Sequence, residues 1–528
     1  MCNDLRLYDR ALARLTRREL MNVAWKLGAV AVMHPLGSSG LLAQPAFRGD
    51  PFTLGVASGE PWPTSVVLWT RLAPEPLDGG GMPTANVEVG WEVARESAFR
   101  HVILKGTAIA RPELGHSVHV EVDGLEPGRE YWYRFHAGGE ASAVGRTKTA
   151  PAVDAPVDAL RFGVCGCSHY ETGYFTAFQR IAQENFDFIF HTGDYIYEGP
   201  ETPNRVRQHR GREIYTLVDY RNRYALYKTD PDLTAAHASA PFVVTWDDHE
   251  VDNDYADSID ERDTPPEAFL LRRAAAYQAY FEHMPLRKGS MPNGPSMRLY
   301  RSLAFGNLID LSVLDTRQHR SDQACGFGAA TNCAAASDPA RSILGREQES
   351  WLFDRLAKAR ARWTVIGQQV PMFAMDRGPD VNPKVRFSMD KWDGYTASRQ
   401  RTFARLKDSR TPNPIVLSGD VHVHYGSDLK MDFTNPKSEI VGVEFTNTSI
   451  TSGGDGRPVA ATWDAMRARN PHLRFHSAKR GYIACAATQA TMRAEFKVIE
   501  RVTVRDEAPA QVAGALVVEA GRPGSNTD

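Results

Sequence analysis

Four times along the chain a short apolar run stops and residues able to hold a metal ion follow at once. The first such segment is Phe162-Gly163-Val164-Cys165-Gly166-Cys167-Ser168. The second is Phe188-Ile189-Phe190-His191-Thr192-Gly193-Asp194-Tyr195-Ile196-Tyr197-Glu198. The third is Val243-Val244-Thr245-Trp246-Asp247-Asp248-His249-Glu250-Val251-Asp252-Asn253. The fourth is Ile415-Val416-Leu417-Ser418-Gly419-Asp420-Val421-His422-Val423-His424. Short runs of this kind read as buried strands. In open α/β sheets, ligands bind beyond the carboxyl ends of the strands. Four such ends carrying Cys, Asp, Tyr, Asn and His predict one metal pocket on an α/β fold.

The flanking sequence supplies the frame. Short strands without a helical period fill residues 48–150, among them Ser65–Thr70, Val87–Val93 and His116–Val122. The spacing Leu125-x-Pro127-x-x-x-Tyr131 resembles the corner of fibronectin type III sandwiches, so a small β-sandwich is expected there. Ala150–Pro156 reads as a linker. Beyond it come a strand at Arg161–Val164, then Phe175, Phe178, Ile181 and Ala182 at helical spacing, then a strand at Phe186–Phe190. This is a β-α-β unit, whose strands run parallel. Further strands are expected at 241–246, 308–314, 363–370, 415–417 and 443–445, and helices at 266–283 and 345–358. The catalytic domain is thus expected over residues 158–510, with 430–475 irregular and the Ala- and Gly-rich tail 511–528 mobile.

A chain of 528 residues exceeds one ordinary domain, and 42% hydrophobic residues are enough for a sizeable core. Sixty-two Lys and Arg against 64 Asp and Glu leave a net charge of −2, which argues against nucleic-acid-specific or anionic-membrane binding. No run of ~18 apolar residues suggests a permanent membrane span. Six cysteines are too few for a disulfide scaffold, although Cys325 and Cys333 flank a Gly-Ala-rich loop and are expected to pair. Residues 1–47 read as a targeting segment: Arg14 and the Arg17-Arg18 pair precede a mildly apolar stretch to Met33, with small residues around Leu42–Ala46. This pattern resembles a bacterial twin-arginine signal, which implies the Tat translocase as export partner and a periplasmic or secreted location.

The residue types at the strand ends suit a two-cation hydrolase. A carboxylate can bridge two cations ~3.5–4 Å apart, which hold a phosphoryl group and acidify a water. The chain resembles the PhoD-like (alkaline phosphatase D) family of the calcineurin-like metallophosphoesterase superfamily. The resemblance lies in "LDTRQHRSDQACG", "GREQESWL", "QQVPM", "WDGY", "SGDVHVH", "TSITSGGDG" and "RGYI", and it covers nearly everything after about residue 50. A Cys-containing strand end stands where the wider superfamily has D-x-H, and W-D-D-H-E where it has G-N-H-E. The resemblance implies a metallophosphatase-type α/β sandwich preceded by the fibronectin III-like sandwich. It implies iron(III) on Cys167, Asp194, Tyr197 and His422, and calcium reached by Asp194, Asn253 and Asp420. Asp248 and His249 occupy the superfamily's Asn-His positions, so Asp248 joins the expected ligands. Thiolate and phenolate suit a trivalent ion, and carboxylate and amide oxygens a hard divalent one, with other divalent metals open.

Asp194, His249 and His422 are the expected catalytic residues. His249 would orient the phosphate or protonate the leaving group. The expected activity is that of an exported alkaline phosphatase acting on phosphomonoesters, with diesters open, through attack by metal-bound hydroxide. Its substrates would be small phosphate esters or phospholipid and polymer phosphates. A phosphodiesterase of phospholipase D type and a surface-binding protein with a vestigial metal site are the alternatives. Blander roles are expected nearby: Cys165 and Tyr195 as packing, Asp247 as an orienting group, His424, His476 and Arg480 as structural, and Asp315–Arg317 as an internal ion pair. Trp392, Asp393 and Tyr395 are expected against the pocket.

Overall fold

A computed structural model describes residues 42–43, 47 and 49–528, apart from 328, 331–332, 379–385, 458–462 and 506. Arg14, Arg17 and Arg18 of the expected signal lie outside the described residues.

Strand alternation builds the centre of the molecule. Phe188 and Phe190 face one way, into a core shared with Leu311, Val365, Ile415 and Leu417 of a second sheet. Ile189, between them, faces the opposite way, into a core with Phe178, Ile181, Leu233 and Tyr277. That is the period of two expected of strands buried on both faces. Among the described residues the first sheet has ten strands and the second seven. In the first, Ala159–Cys165, Phe188–His191 and Phe242–Val244 are parallel neighbours. In the second, Ile309–Val313, Trp363–Gly367, Pro414–Ser418 and Ile440–Thr446 are parallel neighbours. Helices Thr176–Gln183, Leu217–Lys228, Pro231–Ser239 and Pro266–His283 contribute to the outer core of the ten-stranded sheet. Gly345–Lys358 and Thr396–Asp408 do the same for the seven-stranded sheet. The result is an α/β sandwich with parallel centres. The helices near 176–183, 266–283 and 345–358 were legible from sequence. Those at 217–228 and 396–408 were not, because buried polar and charged residues interrupt their apolar faces, and 231–239 was not, because it is short and buries only Leu233 and Ala236 as apolar residues.

Two expectations need correction. The tail 511–528 is not a mobile extension. Gln511–Glu519 pairs antiparallel with Thr491–Ile499, and Leu516 and Val518 enter the core between the sheets. Asp428 accepts hydrogen bonds from the backbone N–H and hydroxyl of Ser525, which fixes the end of the chain. Composition hid this, since Ala and Gly dilute a strand pattern without abolishing it.

The N-terminal sandwich, in turn, is not closed on itself. One face is a six-stranded sheet containing Asn86–Ala94 and Glu130–Ala137. The other face, Val56–Trp62, Ser65–Arg71 and Ser117–Asp123, is the end of the ten-stranded sheet. The two units meet where Gly59 pairs with Phe242. A Cβ at Gly59 would stand 2.7 Å from the carbonyl of Phe242 and 2.5 Å from that of Pro285, so only glycine lets the strands approach here. The expected corner is present: the Tyr131 hydroxyl accepts the Glu126 N–H at 2.9 Å.

Candidate metal centre

The four loops after the parallel strands converge, and their backbones are bent sharply to do so. Cys167, Asp194, Asp420 and His422 all take left-handed conformations, with φ of 57°, 55°, 67° and 56°. Each non-glycine residue held there costs about 1–3 kcal/mol, strain that concentrates at functional sites. Gly193 has φ 112°, and a Cβ on it would lie 2.5 Å from the backbone nitrogen of Asp247. Glycine therefore lets the Asp194 loop press against the Asp247 loop. Glu250 ties them together, accepting the N–H groups of Asp194, Tyr195 and Asp247 at 3.1, 2.7 and 2.8 Å. Burial, then the charge of Asp194, lifts its carboxyl to about 8.

One half of the centre, termed soft for its cysteine thiol, also carries a carboxyl, a phenol and an imidazole. Ligand atoms of Cys167, Asp194 and His422 all lie within 4.8 Å of one another. The Tyr197 hydroxyl donates to Asp194 Oδ2 at 2.9 Å and stands 3.2 Å from His422 Nε2. Ser452 Oγ lies 2.7 Å from the Tyr197 hydroxyl and 2.8 Å from the carbonyl of Cys167. Burial, then the charges of Asp194, Asp420 and Asp247, pushes the Cys167 thiol well up. Burial and Asp194 do the same to Tyr197.

The other half carries hard donors. Carboxylate oxygens of Asp247, Asp248 and Asp420 also lie within 4.8 Å of one another, and a third group joins Asp194 and Asp248 to His249. Two cations of the chain answer this charge. Arg317, fully buried, bonds Asp247 at 2.5 Å and Asp390 at 2.7 Å, and lies 3.6 Å from both Asp248 and Asp420. Lys391 pairs with Asp420 and, at 3.0 Å, with Asp390. Burial opposes the charge on Arg317, but Asp247, Asp248 and Asp390 outweigh it and raise its pKa well above the ordinary value.

These groups open into a cavity of about 270 Å³ lined by Asp194, Asp248, His249, Asn253, Lys391 and His422, among others. His249 Nδ1 is held by Glu198 at 2.7 Å. Burial disfavours its charged form, but Glu198, Asp194 and Asp248 prevail and raise its pKa well above that of free imidazole. The side-chain nitrogen of Asn253 donates to Glu261 at 3.1 Å.

Other sequence expectations fall elsewhere. Trp392, Asp393 and Tyr395 do not line the cavity. Trp392 Nε1 donates to Gln368, Asp393 pairs with Arg399 at 2.7 Å, and the Tyr395 hydroxyl donates to the carbonyl of Ser321. Their neighbours Asp390 and Lys391 take that place, carried by no ligand pattern that sequence reading could detect. Arg317 does not pair with Asp315, which instead accepts the N–H groups of Arg317 and Gln318 at 3.0 Å. The "LDTRQ" motif was the available signal for Arg317, but not for its direction. His424 is buried and accepts the Thr448 N–H, and His476 stacks on Trp463. Arg480 holds Ser449 and the carbonyl of Ser452, behind Tyr197. Cys165 packs in the helix-side core, and the Tyr195 hydroxyl meets His237 at 2.8 Å. Cys325 and Cys333 form a disulfide.

The residues fit cations. Among the described residues, Asp194 Oδ1, Asp247 Oδ2 and Asp248 Oδ1 are buried without a hydrogen-bond partner, and of these Asp248 Oδ1 stands 3.6 Å from Arg317. Buried carboxylate oxygens left in that state are costly unless a cation meets them.

Comparison with known proteins identifies the family. The PhoD-like phosphatase family matches residues 162–496, and the PhoD-like phosphatase N-terminal domain matches residues 38–151. Alkaline phosphatase D of Bacillus subtilis (strain 168) is 49% identical over 496 residues, 92% of this chain and 85% of that protein. A solved structure of PhoD superposes with a TM-score of 0.89 at 49% identity, covering 92% of this chain and 93% of that one. Both the strand-end donors and the sandwich fused to them lie within the matched residues, so the chain belongs to the PhoD-like phosphatase family and is a phosphoric-ester hydrolase, an alkaline phosphatase.

Proposed function

We propose that the enzyme hydrolyses phosphomonoesters in preference to diesters, using iron(III) in the soft half of the centre and calcium in the hard half. The observation that carries the reading is the meeting of orphaned oxygens of Asp194, Asp247 and Asp248 with a buried thiol and phenol beside one cavity. Cys167, Asp194, Tyr197 and His422 would hold the trivalent ion, and Asp194, Asp248, Asn253 and Asp420 the divalent one. When bound, such a pair polarises a phosphoryl group and neutralises the charge that develops on it.

The chain's own residues then have defined tasks. Arg317 keeps Asp247, Asp248 and Asp420 from repelling one another. Glu198 fixes the His249 ring through Nδ1, which leaves Nε2 as the atom available to a phosphoryl or leaving oxygen. The Cys167 thiol and Tyr197 phenol must lose protons for a cation to bind, so loading releases acid. The substrates would be small phosphate esters or phosphate groups of lipids and polymers.

The deciding experiment compares hydrolysis of an aryl phosphate monoester and its methyl diester by enzyme with analysed metal content. A monoester rate at least ~10-fold higher is expected, a difference of about 1.4 kcal/mol in barrier. A diester preference of that size would sink the assignment. Export by the twin-arginine route belongs to the same reading. Protein secreted unchanged after Arg17→Lys and Arg18→Lys would remove it.

A further inference from the structure

The two built-in cations of the hard half are not equivalent. Arg317 is fully buried and locked between Asp247 and Asp390. Lys391 lies at the cavity wall, its side chain 15% exposed. Its ammonium touches Asp420, one of the three carboxylates that form the hard cluster, and is anchored on the other side by Asp390 at 3.0 Å. Asp390 is held on its other oxygen too, because Arg317, Arg320 and Gln323 bond Oδ1 at 2.7, 2.6 and 2.9 Å while Lys391 holds Oδ2. Lys391 can therefore leave Asp420 while keeping a partner, and Asp390 remains satisfied when it does.

We propose that Lys391 is an internal competitor for the hard half of the centre: its ammonium occupies Asp420 until a divalent cation displaces it. The inference rests on the two-cation reading and adds a specific exchange to it. A free Asp420 carboxylate beside Asp247 and Asp248 would suffer strong like-charge repulsion at low effective dielectric. The lysine relieves that repulsion in the empty centre at the expense of affinity for the incoming ion. An ion that binds must outcompete the ammonium, so the exchangeable cation is held less tightly than its carboxylates alone would hold it. The freed ammonium stays at the cavity wall, tethered to Asp390, where a phosphate oxygen is its natural partner.

The test is calorimetric titration of calcium into the full-length enzyme after removal of exchangeable cations with EGTA. Lys391→Met should bind calcium ~10-fold tighter than wild type, equivalent to about 1.4 kcal/mol. Lys391→Arg, which keeps the charge, should stay near wild type. Arg377→Met is the control, because Arg377 lines the same cavity and forms no ion pair with Asp420. It should change affinity little. Equal affinity of wild type and Lys391→Met overturns the proposal, as does equal tightening by Arg377→Met, which would mean a general field rather than exchange. Should Lys391→Met fail to fold, Lys391→Gln serves, read by the rise in Tm on adding calcium, which should exceed that of wild type. An equal or smaller rise would overturn the proposal. A wild-type enzyme that binds no divalent cation would instead bring down the two-cation reading itself.

Discussion

The two halves of the centre solve the same problem in opposite ways. Cys167, Asp194, Tyr197 and His422 are neighboured by one another, by a serine hydroxyl and by backbone groups, and His249 stands beside Asp194 and Tyr197. Asp247, Asp248 and Asp420 are neighboured by Arg317 and Lys391. In the soft half the Cys167 thiol and the Tyr197 phenol hold their protons, whereas the hard half carries its own cations. On the proposed reading, a metal entering the first would displace protons, whereas one entering the second would meet charge that is already partly balanced. The difference predicts a tightly retained ion in one and an exchangeable ion in the other.

The largest effect should come from the residue that belongs to both groups. Asp194→Asn should lower kcat ~10³-fold with the fold intact, because an amide cannot present two anionic oxygens to two cations. More than a few per cent of activity with full metal content would place the bridge elsewhere. Next is Arg317→Met, which leaves three buried carboxylates short of their counter-ion. It should cost about 3–5 kcal/mol in urea unfolding without calcium, and calcium should recover part of the loss. A cost below about 1 kcal/mol would mean that Arg317 does not balance the hard half.

A smaller effect is expected at the soft half. Tyr197→Phe should abolish the phenolate part of a visible charge-transfer band and lower activity ~10-fold, since a supporting donor goes while the ring stays. An iron-loaded enzyme with an unchanged spectrum would show that Tyr197 is not a ligand. The smallest is Tyr195→Phe, which should leave band and rate alone and cost about 1 kcal/mol of stability through the unpaired His237. A spectral change in this variant would exchange the roles of the two tyrosines.

Sequence reading named in advance the residues that the structure gathers in the soft half, because each of them follows a strand end of strong apolar pattern. It missed much of the hard half's environment. Arg317 was read as a partner of Asp315, two residues away, although it spans to Asp247 and Asp390. Lys391 was passed over in favour of its aromatic neighbours. Charge balance is set by groups far apart in the chain, and no local period or spacing encodes it.

The same division holds for the whole molecule. Alternating apolar runs, helix periods and the Leu125–Tyr131 corner by themselves determined many of the strands, three of the helices and the ends from which the donors emerge. Only the tertiary structure decided that the sandwich and the catalytic sheet are continuous through Gly59, that the Ala-rich tail is a strand, and which cations face which carboxylates. Local patterns report what each segment must bury. Which segments bury one another is settled by packing and electrostatics acting between residues hundreds of positions apart.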